Sequence, residues 1–235
     1  MRLNADFTQR VSITPEQYQW VDSPVAGVQR MMLDRIGDEV ARATSLVRYE
    51  PNSEFPSHLH GGGEEILVLE GEFADEHGSY PVGFYLRNPI GTGHSPRVGP
   101  MGATLFVKLH QFAQDDSQQK VIDTRRESWS AGSVPGIEVI SLHEYESEQV
   151  ALIKWAPMTR YPQHSHCGGE EILVLEGAFF DESGSYPAGT WVRHPHMSEH
   201  APFTKEEGAL IYVKTGHLPP DSSLRGSAAD EAISP

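Results

Sequence analysis

The chain has 235 residues, with 33 acidic against 18 basic side chains, a formal charge of −15 at pH 7 and a single cysteine. That balance disfavours nucleic acid and anionic membrane surfaces, which both call for a basic face, and a lone Cys167 excludes an intrachain disulfide framework. The opening MRLNADFTQR is polar, unlike a signal peptide, and no apolar run approaches the ~20 residues of a membrane span, so a soluble protein of the reducing cytoplasm is expected.

In chain order, Thr14-Pro15-Glu16-Gln17 opens one helical turn, with proline at its favoured first position. Trp20 follows. HLHGGGEEILVLEG spans 58–71, DEHGSYPVG 75–83 and FYLRNP 84–89, and ATLFVKL at 103–109 closes a first series of short β-rich runs. AQDDSQQ at 113–119 is polar and reads as a linker. The series then repeats: HSHCGGEEILVLEG at 164–177, DESGSYPAG at 181–189, TWVRHP at 190–195 and ALIYVKT at 209–215. Short strand-forming runs split by glycine and proline predict an all-β sandwich or barrel. The copies begin before the histidines, since Arg10-Val11 and Trp20 resemble Lys120-Val121 and Trp129. The division expected is a first domain over 1–115, a second over 116–218, and a disordered tail over 219–235.

The two copies are offset by 106 positions, and 58–96 matches 164–202 at 24 of 39 positions without a gap. A period this long suits a duplicated domain better than a solenoid. In a strand, side chains two apart share a face, so His58 with His60, and His164 with His166, can reach one ion. The glycine-rich bend that follows returns the chain past that point, where Glu64-Glu65 or Glu170-Glu171 offers a carboxylate; strand alternation lets only one of each pair point inward. His94 and His200 complete the sets. These six histidines recur across the copies, whereas none of the other six does.

Other residues carry blander readings. Trp20 and Trp129 are expected to fill the barrels. Asp75-Glu76 and Asp181-Glu182 read as solvated turns, and Cys167 as a small loop residue. The loops before the last histidine diverge, Ile90-Gly91-Thr92-Gly93 against His196-Met197-Ser198-Glu199. His194, His196 and Glu199 make the second site the more polar one and the expected ligand-binding site.

The pattern HxH-x3-E-x6-G, then PxG and a later histidine, resembles the cupin superfamily, here as a bicupin. The form GGEEILVLEG…DExGSYPxG…H[SA]P is most similar to the ChrR-type cupin domain of zinc-dependent anti-sigma factors, over about 30–112 and 137–218. The resemblance implies two tandem jelly-roll barrels and the ligand sets His58, His60, Glu64, His94 and His164, His166, Glu170, His200. Glu65 and Glu171 are the alternatives. It implies a divalent metal, zinc first, with Fe2+, Mn2+ or Ni2+ as the other candidates. The His-x3-Cys-x2-Cys helical domain that grips a sigma factor is not carried over, because the first 50 residues hold neither histidine nor cysteine. A sigma-factor partner is thus disfavoured. The expected role is metal-dependent binding or sensing of a small molecule. The rival is a dioxygenase of a small diketone, phenolic or carboxylate substrate, and a homodimer is left open.

Overall fold

The computed structural model describes residues 1–218. The expected disorder of 219–235 therefore lies outside the described residues. The described chain is built of strands, with one short 3-10 turn at Pro15–Gln17 where the Thr14-Pro15 signal placed it, closed by Gln17 N–H donating to Thr14 O at 2.9 Å.

The chain divides into two compact units, each a jelly-roll barrel. In the first, the large sheet runs in the order Val28–Gly37, Ala41–Tyr49, Arg97–Leu109, Glu64–Ala74, Phe84–Asn88 and Lys120–Asp123. A two-stranded ribbon pairs His58–Leu59 with Gly93–His94. In the second, the order is Ile137–Tyr145, Glu148–Trp155, Phe203–Thr215, Glu170–Asp181, Trp191–His194 and Val11–Ile13, and the ribbon pairs His164–Ser165 with Glu199–His200. The pairings named are all antiparallel, whether a hairpin joins the strands or they lie far apart in the chain. The EEILVLEG run forms a central strand in each sheet. Ile66 and Val68 enter the first core with Val28, Phe73 and Leu105, and Ile172 and Val174 enter the second with Ile137, Phe179 and Ile211. At the end of that run Gly71 and Gly177 have φ of +70° and +68°, and a Cβ there would run into the carbonyl of Gly102 or Gly208. Only glycine allows both the conformation and the approach.

The units do not follow a cut near residue 115. Asp6–Gln17 belongs with Ser128 onward, and Tyr18–Glu127 belongs with Met1–Ala5. The cause is strand pairing. Val11–Ile13 hydrogen-bonds along Trp191–Arg193, and Lys120–Asp123 along Phe84–Arg87. Each sequence copy thus lends its opening strand to the unit built on the other copy. The polar stretch 113–119 is likewise more than a tether. Asp116 is buried and its carboxylate lies 2.8 Å from the buried Arg87 guanidinium, which stacks 3.7 Å from the Phe112 ring.

Trp20 and Trp129 do not plug the barrels. Both are part-exposed, and each ring faces a cation: the Arg48 guanidinium lies 3.8 Å from Trp20, and the Lys154 ammonium 5.8 Å from Trp129. Barrel filling falls instead to aliphatic side chains with Phe73 and Tyr80 in the first unit, and with Trp155, Phe179 and Tyr186 in the second.

The opening segment is anchored in the second unit by Phe7, buried beneath the Arg193 guanidinium at 4.4 Å, while Arg193 donates to Asp6 O at 3.0 Å. Phe7→Ala should cost about 3 kcal/mol. Hydrogen exchange should accelerate at Trp191–Arg193 and stay unchanged at Phe84–Arg87, which the same measurement reads.

Candidate metal centre

Each centre forms where the ribbon meets the start of the central strand. His94 pairs with His58 across the first ribbon, so their rings meet at 4.9 Å between centroids, and His60 closes the group at 4.7 Å from His94. Glu64 opens the strand Glu64–Ala74, flanked by Leu109 on one side and Asn88 on the other. The ligand-type atoms of His58, His60, Glu64 and His94 all lie within 4.8 Å of one another.

The alternation of the strand separates the two glutamates. Glu64 shares its face with Ile66 and Val68, among the histidines. Glu65 faces the other way, in register with Arg87 and Lys108, and all three are buried. Glu170 and Glu171 repeat this: Glu170 joins the histidines, while Glu171 lies in register with buried Arg193 and Lys214 and 3.1 Å from His217 Nε2.

The orientation of the imidazoles is set from behind. In the first centre His58 Nδ1 lies 3.2 Å from Pro56 O, His60 Nδ1 2.9 Å from Thr92 Oγ1, and His94 Nδ1 3.2 Å from Asp75 Oδ2. The carbonyl and the carboxylate can only accept, so His58 and His94 carry their proton on Nδ1 and turn a bare Nε2 inward. His60 Nε2 and His94 Nε2 are buried without a hydrogen-bond partner, although Glu64 Oε2 stands at 3.1 and 3.5 Å from them. Imidazole nitrogens and a carboxylate oxygen crowded into one buried space call for a shared cation, a proton on an imidazole or a metal ion. Buried unpaired acceptors aimed at a common point fit a metal ion.

Burial works to raise Glu64, but His60, His94 and the 3.1 Å donation from Asn88 Nδ2 hold its carboxyl below the usual range. Burial pushes His94 down, and Glu64 only partly offsets it. The ring is then neutral at physiological pH, the form a metal needs.

The second centre is a variation. His164 Nδ1 donates to Pro162 O at 2.9 Å, and the Nε2 atoms of His164, His166 and His200 converge, with 3.0 Å between His166 and His200 and 3.3 Å between His200 and His164. Glu170 Oε2 lies 3.5 Å from His166 Nε2 and 3.6 Å from His200 Nε2 but only 2.9 Å from His194 Nδ1. Its groups accordingly split, His164 with His166 and His200, and Glu170 with His194 and His200. His194 stands where the first barrel has Asn88, and its imidazole draws the carboxylate aside. Burial lowers His166 to about 4. Glu170 sits at about 2, because His194 and the other histidines outweigh its burial.

Several residues that shape the centres were misread in the sequence. Asp75 and Asp181 are buried rather than solvated. Each accepts from a buried tyrosine, Tyr80 at 3.0 Å and Tyr186 at 2.6 Å, and each presents its other oxygen to the last histidine of the set. Glu76 and Glu182 are exposed but accept the Ser95 and Ala201 N–H, fixing the chain after His94 and His200. The recurrence of DExGSY in both copies was the available signal. Cys167 is exposed on the loop, as read. His196 accepts the Gly168 N–H at 2.8 Å, and exposed Glu199 accepts from Gln163 at 2.7 Å. With His194 held by Glu170, the three polar residues that favoured the second site are engaged in loop and carboxylate contacts. A cavity of about 410 Å³ instead opens beside the first centre, reaching His58, His60 and Glu64.

A protein-family model for the ChrR cupin-like domain matches the chain twice, at 8–113 and 117–219, so the chain belongs to that family. No curated protein matches it. Among solved structures, a Nostoc punctiforme protein with a provisional dioxygenase assignment is similar at TM-score 0.75 and 17% identity, covering 92% of this chain and 85% of that one. The Lactobacillus farciminis oxalate decarboxylase formate complex is similar at 0.60 and 10%, covering 88% and 86%. Bacterial pirin YhhW from Escherichia coli, in complex with nickel(II), is similar at 0.65 and 13%, covering 91% and 100%. At these identities the likeness is one of fold.

His194 yields a pH prediction. Burial opposes its charge, but Asp181 and Glu170 outweigh that and raise it to about 9. A raised histidine stabilises the fold fully below its unfolded value near 6.5 and loses that contribution as pH rises to about 9. Metal-free protein should therefore lose stability on the order of 2 kcal/mol between pH 6.5 and 9, read from urea unfolding. His194→Asn, which installs the first barrel's residue, should flatten that slope.

Proposed function

We propose that this chain is a tandem metal-binding cupin that holds one divalent ion per barrel and binds or senses a small metabolite there. His58, His60, Glu64 and His94 would hold the first ion, and His164, His166, Glu170 and His200 the second. The observation that carries the reading is the buried, unpaired Nε2 of His60 and His94 beside the Glu64 carboxylate. A buried charge and bare acceptors without a counter-ion would be strongly unfavourable.

Three imidazoles and one carboxylate suit zinc, and equally iron(II), manganese(II) or nickel(II). Four such ligands complete a tetrahedral zinc site, whereas on an octahedral ion they leave two positions for a ligand or for Lewis-acid chemistry. Zinc is the ion the family resemblance favours. Asp75, 3.2 Å from His94 Nδ1, keeps that ring turned inward, Asp181 faces His200 Nδ1 at 3.7 Å, and Asn88 steadies the first carboxylate.

A second reading, a metal-dependent dioxygenase, draws support from the cavity beside the first centre, which has room for a substrate next to the ion. No described helix is long and apolar enough to cross a membrane. A cytoplasmic setting accords with the single cysteine.

Metal analysis of anaerobically purified protein tests the reading. Two equivalents per chain are expected, and His60→Ala and His166→Ala should each remove about one; full metal content in both variants would refute it. Asp75→Asn and Asp181→Asn should weaken metal affinity by about 10–100-fold without abolishing it, as read by competition with a chelator. Oxygen uptake by iron-loaded protein, with a panel of small diketones, hydroxyacetophenones and oxalate, separates the enzyme from the binding module.

A further inference from the structure

The cavity beside the first centre contains a cation that the metal set does not use. Arg30 lies on the strand Val28–Gly37, two residues from the core residue Val28 and therefore on the same face, and it is in register with Val47 of the neighbouring strand. Together with Tyr49, His58, His60, Glu64 and His110 it lines the cavity. Much of the remaining wall is apolar, with Val28, Val47 and Phe55. The Arg30 guanidinium lies 3.4 Å from the carboxylate of Glu39, which is exposed, a pairing that contributes little and is readily exchanged.

The second barrel lacks this cation. Its equivalent register pairs Val139 with Ile153, next to Ile137 with Trp155, where the first barrel pairs Arg30 with Val47 and Val28 with Tyr49. A further asymmetry lies across the cavity. His110 N–H donates to Gly63 O at 3.1 Å, and at the same place in the second barrel Gly216 N–H donates to Gly169 O at 3.1 Å. Both have positive φ, 55° for His110 and 76° for Gly216. Glycine adopts that conformation freely, and a histidine there is uncommon. The first barrel thus places an imidazole on the cavity wall at a backbone position suited to glycine.

We infer that the first barrel takes a small carboxylate, with one carboxylate recognised by Arg30 while an oxygen of the ligand reaches the ion; the inference rests on the metal reading above. Glu64 is the one carboxylate among the residues lining the cavity, against a divalent ion and Arg30, while Asp75 lies behind His94 and the exposed Glu39 is readily displaced from Arg30. An apolar wall with one guanidinium suits a compact carboxylate, which the planar fork meets with two parallel hydrogen bonds. The second barrel, with Val139 and Gly216, lacks both groups and takes no such anion.

The test is calorimetric titration of the metal-loaded full chain with malonate, with malonamide as the matched neutral control and inorganic phosphate as an anion of different shape. One malonate per chain should bind, with malonamide and phosphate at least tenfold weaker. Arg30→Gln should weaken malonate about 10- to 100-fold and leave malonamide unchanged, while Arg30→Lys should recover part of the loss; urea midpoints establish that both variants fold. The single binding event should survive His166→Ala and disappear in His60→Ala. Metal is assayed on the same samples. Full metal with equal malonate affinity in wild type and Arg30→Gln overturns the inference, and so does malonate binding no tighter than phosphate. Absent metal with malonate binding that still depends on Arg30 refutes the metal reading and retains the anion site.

Discussion

Adjacent glutamates on a central strand set the terms for everything around them. Neighbouring strand residues face opposite sides, so Glu64-Glu65 and Glu170-Glu171 bury a carboxylate on both faces of their sheets at once. Each buried carboxylate needs its own compensation. On one face Glu65 and Glu171 find buried arginine and lysine in the flanking strands. On the other, Glu64 meets His60, His94 and the Asn88 amide, and Glu170 meets His166, His200 and the raised His194. The first face sets its carboxylates in register with cationic side chains, and the second gathers imidazole nitrogens around them at points a metal ion would fit. This contrast between two carboxylates one residue apart gives the metal assignment its physical content.

The supports behind the histidines carry as much of the design as the ligands themselves. An imidazole presents a lone pair to a metal only if its other nitrogen is held by an acceptor. Pro56 O and Pro162 O serve the first histidine of each set, and Asp75 and Asp181 face the last. The aspartates are themselves fixed by Tyr80 and Tyr186, whose hydroxyls are pushed above their ordinary range by burial and by these carboxylates. The repeated DExGSY stretch is thus a bracket for the last histidine of each set. The exchange of Asn88 for His194 shows how one altered support moves the carboxylate while the three histidines stay together.

Much of this could be read from the sequence because the chain states it twice. The duplication, the β class, the HxH pairs and the distant histidines all follow from spacing, and the register places them as the period of two requires. The aspartates were hidden because an acidic pair before glycine has the composition of a solvated turn, and only the tertiary approach of a tyrosine and a histidine buries it. The tryptophans misled because their size suggested a core, when a cation on each ring suits a part-exposed surface. Arg30 was legible in principle. It shares strand parity with Val28, and its counterpart in the repeat is Val139. A charge on an inward face in one copy alone marks a difference in what the two barrels meet. The unit boundaries were the least legible, since no sequence period records which sheet an opening strand joins.

That last feature bears on the order in which the protein assembles during synthesis. The first unit has all its strands once residue 127 has been made. The second begins with Asp6–Gln17, yet the partner strand Trp191–His194 is made some 180 residues later. Domains generally close as units from the N-terminus onward, and pairings of long sequence separation are slow. Through most of translation the strand Val11–Ile13, with the apolar Phe7 before it, is therefore an unpaired edge waiting beside a finished barrel. Its short length and the polar residues around it keep that waiting edge from recruiting other chains.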